Sequence, residues 1–488
     1  IYGGLMIRSG TQVTAAVIAA ASRLKIIGRA GVGVDNVDVP AATQRGVLVV
    51  NSPEGNTIAA AEHALAMMLT LSRHIPQAHG GMRAGKWDRK KYVGNELYKK
   101  TLGVVGLGKI GSHVARVAQA MGMDVIAYDP FIAADRAQRM QVKLLELDEL
   151  FRTADYVTLH IPRTKDTENL VNAELLRTMK PTARIVNCAR GGVVDEAAIA
   201  EAINNGVIAG AGLDVYASEP LAEDSPLRAV ERGLVLTPHL GASTEEAQEN
   251  VAIDVAEQIR DVLLGLPARS AVNIPGLSAE IMERLKPHLQ LAETVGLLVS
   301  QLAGGHVKEM ELRLQGEFAS HPSQPLVIAA LKGLLSAGLG DSINFVNASL
   351  EAKARGIQVL EVKDESSRDF AGGSLQITTR GDQGSRSVTG AVFADGDLRI
   401  TSIDAFPVNV TPSSHMLFTR HRDMPGIIGH LGSLLGEHNV NIASMQVGRK
   451  IVRGDAVMVL SIDDPIPADL LQTITAIDGI QEAHPVTL

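Results

Sequence analysis

Leu102-Gly103-Val104-Val105-Gly106-Leu107-Gly108-Lys109-Ile110-Gly111 decides the fold: an apolar strand runs into a glycine turn, and a helical pattern starts directly behind it. A bare G-x-G-x-x-G is weak evidence, but strand before and helix after is the setting its chemistry requires. Gly106 permits a tight turn, Gly108 lets backbone approach a pyrophosphate, and Gly111 lets the helix pack close to the strand. Phosphate charge then meets unpaired N–H groups at the helix N-terminus. Asp129 follows at the end of the next strand, Val125–Tyr128, where a carboxylate accepts hydrogen bonds from a ribose and repels a 2′-phosphate, favouring NAD over NADP.

Outward from this turn one unit repeats, a short apolar strand, a turn and an amphipathic helix. Its strands read Leu102–Val105, Val125–Tyr128, Tyr156–His160, Arg184–Asn187, Ile208–Leu213 and Leu234–Leu236. Alternation of this kind predicts a doubly wound parallel, Rossmann-like α/β sheet with helices on both faces. Upstream, Lys25–Ile27 and Val47–Val50 read as strands of a second α/β layer, and Ala59 to Leu71 as a buried, almost wholly apolar helix. Ser243 to Leu264 reads as a long helix ending at Gly265 and Pro267, with a linker at Asn273–Gly276 and a domain boundary near Pro275. Residues 276–408 mix a helical run (Pro325–Ala337) with β-like ones (Ser374–Thr379, Ser387–Phe393, Leu398–Ile403), an α+β domain without a catalytic motif. From His415 the chain closes on a module the size of a βαββαβ unit.

At 488 residues the chain exceeds the ~250–300 that one hydrophobic core serves, so more than one domain is required. Net charge is -8, Arg89-Lys90-Lys91 is the one short basic cluster, and aromatics are 3%, so a nucleic-acid surface is disfavoured. No apolar run is long enough to span a bilayer, and no signal-peptide pattern opens the text. A single cysteine, Cys188, cannot build a disulfide framework or a cysteine-rich metal site and suits a reducing compartment, so a cytoplasmic protein is expected.

Three further segments each end an expected strand: Asn187 to Gly192 with Arg190, Asp214 to Pro220 with Glu219, and Pro238 to Ser243 with His239. Ligands of open α/β sheets bind beyond the carboxyl ends of the strands, so all three face one crevice. Hydride transfer from a 2-hydroxy acid needs a base for the hydroxyl proton and a cation for the carboxylate. His239 suits the first and Arg190 the second, through a bidentate guanidinium–carboxylate pair. Glu219 would bond His239, fixing its tautomer and favouring the imidazolium. Alone, each has an ordinary explanation: Arg190 as a capping cation, Glu219 as a surface carboxylate, His239 as one of 14 histidines. Together at consecutive strand ends they point to an enzyme. Cys188 reads as a small core-side residue and not a nucleophile.

These motifs resemble the D-isomer-specific 2-hydroxyacid dehydrogenase family, most closely its long-form phosphoglycerate dehydrogenases. The resemblance is carried by Arg8-Ser9, Gly28 to Asp38, Gly85-Lys86-Trp87, Gly106 to Gly111, Asn187 to Asp195 and His239 to Thr244. It implies a substrate domain from 1–54 and 243–274, whose first family strand and helix have no counterpart in this text. An NAD-binding domain at 55–242, an intervening domain at 275–408 and an ACT regulatory domain at 414–488 are implied with it. Beside the glycine turn and Asp129, the positions matching family NAD contacts are Lys109, Ile110, Ile161, Cys188, Ala189, Asp214, Gly241 and Ala242. Arg8, Ser9 and Arg29 match contacts to a substrate phosphate, with Arg89 reaching a neighbouring subunit's site. His421, Asp423 and Asn441 are candidate L-serine contacts of the ACT loop, although capping and turn roles account for them equally. No metal site is expected. The expected reaction is NAD-dependent oxidation of 3-phospho-D-glycerate to 3-phosphooxypyruvate, the entry to L-serine, by a homodimer or homotetramer with serine as a candidate effector. The alternatives are another D-2-hydroxyacid dehydrogenase, such as a glyoxylate/hydroxypyruvate reductase, and a non-catalytic NAD-sensing interaction protein.

Overall fold

The computed structural model describes residues 2–274, 279–365, 373–393 and 396–488, and the boundary expected near Pro275 lies outside the described residues. The chain divides into two compact units, one of residues 29–33 and 51–257, the other of 1–28, 34–50 and 258–488.

In the second half of the sheet-forming sequence of the first unit, apolar strands and helices alternate as expected. Numbering strands from the chain start, the other unit contributes β1 (Gly4–Ile7), β2 (Ile26–Arg29) and β3 (Leu48–Asn51), a three-stranded sheet in that order. Then come β4 (Thr101–Val105), β5 (Asp124–Tyr128), β6 (Lys143–Leu144), β7 (Tyr156–Leu159), β8 (Arg184–Asn187), β9 (Gly210–Leu213) and β10 (Leu234–Leu236). These seven form an all-parallel sheet in the order β10-β9-β8-β7-β4-β5-β6. The direction of winding reverses between β4 and β7, so the crevice for a ligand opens beside the carboxyl end of β4.

Alternate side chains of a strand point to opposite faces, and both faces here are apolar. Val104 and Val186 join a buried cluster with Ala64, Leu65 and Met68 of helix α1 (Thr57–Arg73) and Val114 and Ala118 of α2 (Lys109–Ala120). Val105 and Ile185 join the opposite cluster with Ile199 of α3 (Glu196–Asn204). Helices on both faces are what strands with continuous apolar runs require. The two-residue β6 is too short to carry a pattern and was not anticipated.

The other unit takes in α4 (Glu245–Leu263), of which the first part belongs to the NAD-side unit, and then α5 (Ala279–Ala303), α6 (Ser323–Leu339) and a six-stranded sheet. Its strands are β11 (Val307–Gln315), β12 (Gln358–Asp364), β13 (Ser374–Gly381), β14 (Gly384–Val392), β15 (Leu398–Ile403) and β16 (Phe406–Val410), ordered β12-β11-β13-β14-β15-β16. The β11–β12 pair is parallel and the other pairs antiparallel. Helix α5 runs through Pro287. A Cβ on its Gly296 would lie 2.3 Å from the Ala330 carbonyl, and one on Gly333 of α6 would lie 2.0 Å from the Glu293 carbonyl. Two glycines facing opposite backbones thus let α5 and α6 touch closely.

The chain ends in β17 (His415–Arg422), α7 (Ile427–Glu437), β18 (Ile442–Arg449), β19 (Asp455–Ile462), α8 (Ala468–Thr475) and β20 (Ile480–Thr487). They form the expected βαββαβ module, an antiparallel sheet in the order β18-β19-β17-β20. Among the described residues no helix is long and apolar enough to cross a membrane.

Candidate active site

At the end of β4, Gly106 has φ +93°, and a Cβ there would lie 2.6 Å from the His160 carbonyl oxygen. A Cβ on Gly111 would lie 1.9 Å from the Gly106 carbonyl oxygen, so the helix starts against its own strand. Gly108 has open space where its Cβ would be, leaving the backbone accessible to a pyrophosphate. Asp129 braces the turn: its Oδ2 accepts from the Leu107 N–H at 2.8 Å and its Oδ1 from the Phe131 N–H at 2.9 Å. Lys109 pairs with Glu54, and that contact holds the Glu54 carboxyl below the usual carboxylate range. The turn fits a dinucleotide, with room over Gly108, helix N–H groups behind it and a carboxylate at the ribose end.

Beyond β8, Asn187 is buried and shapes the loop that carries Arg190. Its Oδ1 accepts from the Ala189 N–H at 3.0 Å and its Nδ2 donates to the Arg190 carbonyl at 2.9 Å. The Arg190 Nη1 donates to the Ala189 carbonyl at 2.7 Å. Beyond β9, Glu219 accepts with Oε1 from the Tyr216 N–H at 3.1 Å. Its Oε2 stands 2.8 Å from His239 Nδ1, beyond β10. An ionised carboxylate only accepts, so Nδ1 carries the proton and Nε2 is left as the basic nitrogen. The His239 and Glu219 side chains are 51% and 37% exposed, open enough for a substrate hydroxyl to reach the imidazole.

Asp214 does more than its position suggested. It is fully buried, and its Oδ1 accepts from Thr237 Oγ1 at 2.6 Å and the Leu240 N–H at 2.8 Å, its Oδ2 from the Gly241 N–H at 2.8 Å. His63 Nε2 lies 3.1 Å from the same Oδ1. Burial raises the carboxyl, but the bonds from His63, Thr237 and Leu240 together overcome it and hold it below its ordinary value. His63, Thr237 and Glu54 were not anticipated. The signal for His63 was there: with Glu62 it interrupts the apolar run from Ile58 to Leu69. Burial, then the Asp214 charge, pushes the Cys188 thiol up, so it stays protonated. His63, Cys188 and Asp214 offer atoms within 4.8 Å of one another, but a metal there would have to displace the N–H and O–H donors already on Asp214.

The expected phosphate contacts are divided. Arg8 and Ser9 belong to one compact unit, Arg29 and Arg89 to the other. Asn36 Nδ2 donates to the Arg8 carbonyl at 2.8 Å and the Thr11 carbonyl at 2.6 Å, which shapes the turn after β1. Arg29 Nη1 donates to the Ala30 carbonyl at 3.3 Å. Arg89 is exposed, in a short 3₁₀ turn, Arg89–Tyr92. In the last module His421 is 1% exposed and its Nδ1 has no hydrogen-bond partner among the described residues. Asp423 accepts from the Arg453 N–H at 3.1 Å and from Arg449 Nη1 at 2.9 Å, and Asn441 Nδ2 donates to Asp463 at 2.8 Å.

Three family models match in series: D-isomer specific 2-hydroxyacid dehydrogenase, NAD binding domain, over residues 65–241; D-3-phosphoglycerate dehydrogenase intervening domain over 284–404; and ACT domain over 415–479. The D-3-phosphoglycerate dehydrogenase of Synechocystis sp. is 63% identical over 488 residues, covering 100% of this chain and 88% of the relative. That of Archaeoglobus fulgidus is 44% identical over 489 residues, covering 100% of this chain and 92% of the relative. Among solved structures, the D-lactate dehydrogenase of Aquifex aeolicus complexed with NAD and lactic acid is 29% identical with a TM-score of 0.50, covering 54% of this chain and 83% of that one. A parallel sheet with a glycine turn at its switch point and an NAD-binding domain of this kind define an NAD-dependent oxidoreductase. Within that class, the chain belongs to the D-3-phosphoglycerate dehydrogenase family.

Proposed function

We propose that the chain oxidises 3-phospho-D-glycerate to 3-phosphooxypyruvate with NAD, the first step towards L-serine. The observation that carries the chemistry is the 2.8 Å bond between His239 Nδ1 and Glu219 Oε2 at the ends of neighbouring strands. His239 Nε2 takes the proton of the C2 hydroxyl, and Glu219 stabilises the imidazolium that results. Arg190 holds the substrate carboxylate and polarises the developing carbonyl. NAD, when bound, supplies the acceptor for the hydride that leaves C2. Gly106, Gly108, Gly111 and the N-terminus of α2 hold its pyrophosphate, Asp129 its adenosine ribose, and Lys109, Ile110, Ile161, Cys188, Ala189, Asp214, Gly241 and Ala242 complete the pocket.

Arg8, Ser9, Arg29 and Arg89 are assigned to the phosphate, because a dianion needs several donors where a lactate-like acid does not. The domain boundaries are those given above, with His421, Asp423 and Asn441 as the serine contacts of a homo-oligomer in a reducing, cytoplasmic compartment.

NAD reduction followed with 3-phosphoglycerate, lactate, glycerate and formate, with and without serine, tests this reading. Arg8→Ala and Arg29→Ala are each expected to lower kcat/KM for the phosphorylated acid by roughly 10–100-fold, the worth of a charged hydrogen bond, and to leave lactate turnover nearly unchanged. A wild-type preference for an unphosphorylated acid refutes the substrate assignment.

A further inference from the structure

We propose that His63 is a positioning residue of this dehydrogenase, acting through Asp214 to set the loop that presents His239. The inference rests on the functional reading above and extends it to a side chain on a different element. His63 lies on α1, and its imidazole is 20% exposed. Its Nε2 is 3.1 Å from Asp214 Oδ1 and 3.2 Å from Thr237 Oγ1. The single Thr237 hydroxyl proton has Asp214 Oδ1 2.6 Å away as its acceptor. Both groups facing Nε2 are therefore acceptors, which requires a protonated Nε2, in either the neutral or the charged ring.

What Asp214 holds explains why this donor matters. Its carboxylate takes the N–H groups of Leu240 and Gly241, and its own backbone carbonyl takes the His239 N–H at 2.8 Å. His239 sits between these anchors with φ +56°, a left-handed conformation that side chains other than glycine avoid and that persists only when neighbours over-determine it. Three bonds from one residue thus impose the backbone geometry that aims the imidazole. A fully buried carboxylate stays ionised, and so stays a double acceptor, only if enough donors surround it. His63 supplies one from outside the loop itself. Remove it and Asp214 takes up a proton more readily, loses acceptor capacity and loosens its grip on Leu240 and Gly241.

The expected signature is in turnover and not in capture of the ADP half of the cofactor, which is assigned to the glycine turn after β4, away from Asp214 and Gly241 beyond β9 and β10. His63→Leu fills the same space without a donor, whereas His63→Gln places an amide nitrogen close to where Nε2 stood. In the full-length protein His63→Leu is expected to lower kcat about tenfold, the worth of one hydrogen bond to a buried charge. ADP-ribose, which lacks the nicotinamide, should bind as it does to wild type by calorimetry. His63→Gln should recover kcat to within about threefold of wild type. The inference is overturned if His63→Leu keeps kcat within about threefold of wild type, if it loses ADP-ribose binding as well, or if His63→Gln is as slow as His63→Leu. Failure of the functional reading looks different: wild type itself would then turn over no 2-hydroxy acid.

Discussion

Replacing His239 with glutamine lowers kcat by roughly 10²–10⁴-fold, the usual contribution of a positioned general base, and leaves the affinity for NADH close to wild type. Glutamine can keep a hydrogen bond with Glu219 but cannot accept a proton at neutral pH. The separation of effects follows from the sheet: the glycine turn closes β4, whereas His239 follows β10, four strands beyond β4 in the sheet order β4-β7-β8-β9-β10 and on the opposite side from Asp129. Steady-state kinetics with titration of NADH fluorescence checks both halves. A variant that turns over within tenfold of wild type would remove the imidazole from the mechanism.

Arg190→Lys keeps the charge and is expected to lower kcat/KM for the hydroxy acid by roughly 10²–10³-fold, with nucleotide binding again intact. An ammonium is a point charge and cannot reproduce the planar two-donor fork that fixes a carboxylate in one orientation, and a misplacement of 1 Å is enough to cost ~10²-fold. The Arg190 loop is pinned at both ends by Asn187, and Nη1 is tied to the Ala189 carbonyl, so the fork starts from a set direction that lysine would not inherit. A kcat/KM within a few-fold of wild type in this variant would reassign the carboxylate to another cation.

The sequence was most readable where a single local rule decided the outcome. Glycine spacing after an apolar strand located the turn at Gly106 to Gly111, and apolar runs located β8, β9 and β10, whose carboxyl ends a parallel sheet delivers to one side and after which Arg190, Glu219 and His239 follow. It was least readable where distant partners decide. Pro287 as a local signal favours a helix break, yet α5 continues through it, and the close approach of α5 to α6 at Gly296 and Gly333 is set by backbone distant in sequence. β11 is a different case: its buried Met310, Leu312 and Leu314 alternate with Glu309, Glu311 and Arg313 in the two-residue period of a half-buried strand, a signal that was present in the sequence. Asp214 was placed in the cofactor pocket, but its hold on the His239 loop depends on donors from α1, from Thr237 and from two backbone amides, a set that no spacing in the text brings together.

The chain has one sulfhydryl, and at Cys188 burial and the neighbouring Asp214 charge keep it in the unreactive protonated form. For anyone attaching a dye or a spin label, the unaltered protein is therefore already a quiet background: a cysteine engineered onto either compact unit would be the group that maleimide finds first, and distances across the enzyme during turnover become measurable without deleting anything.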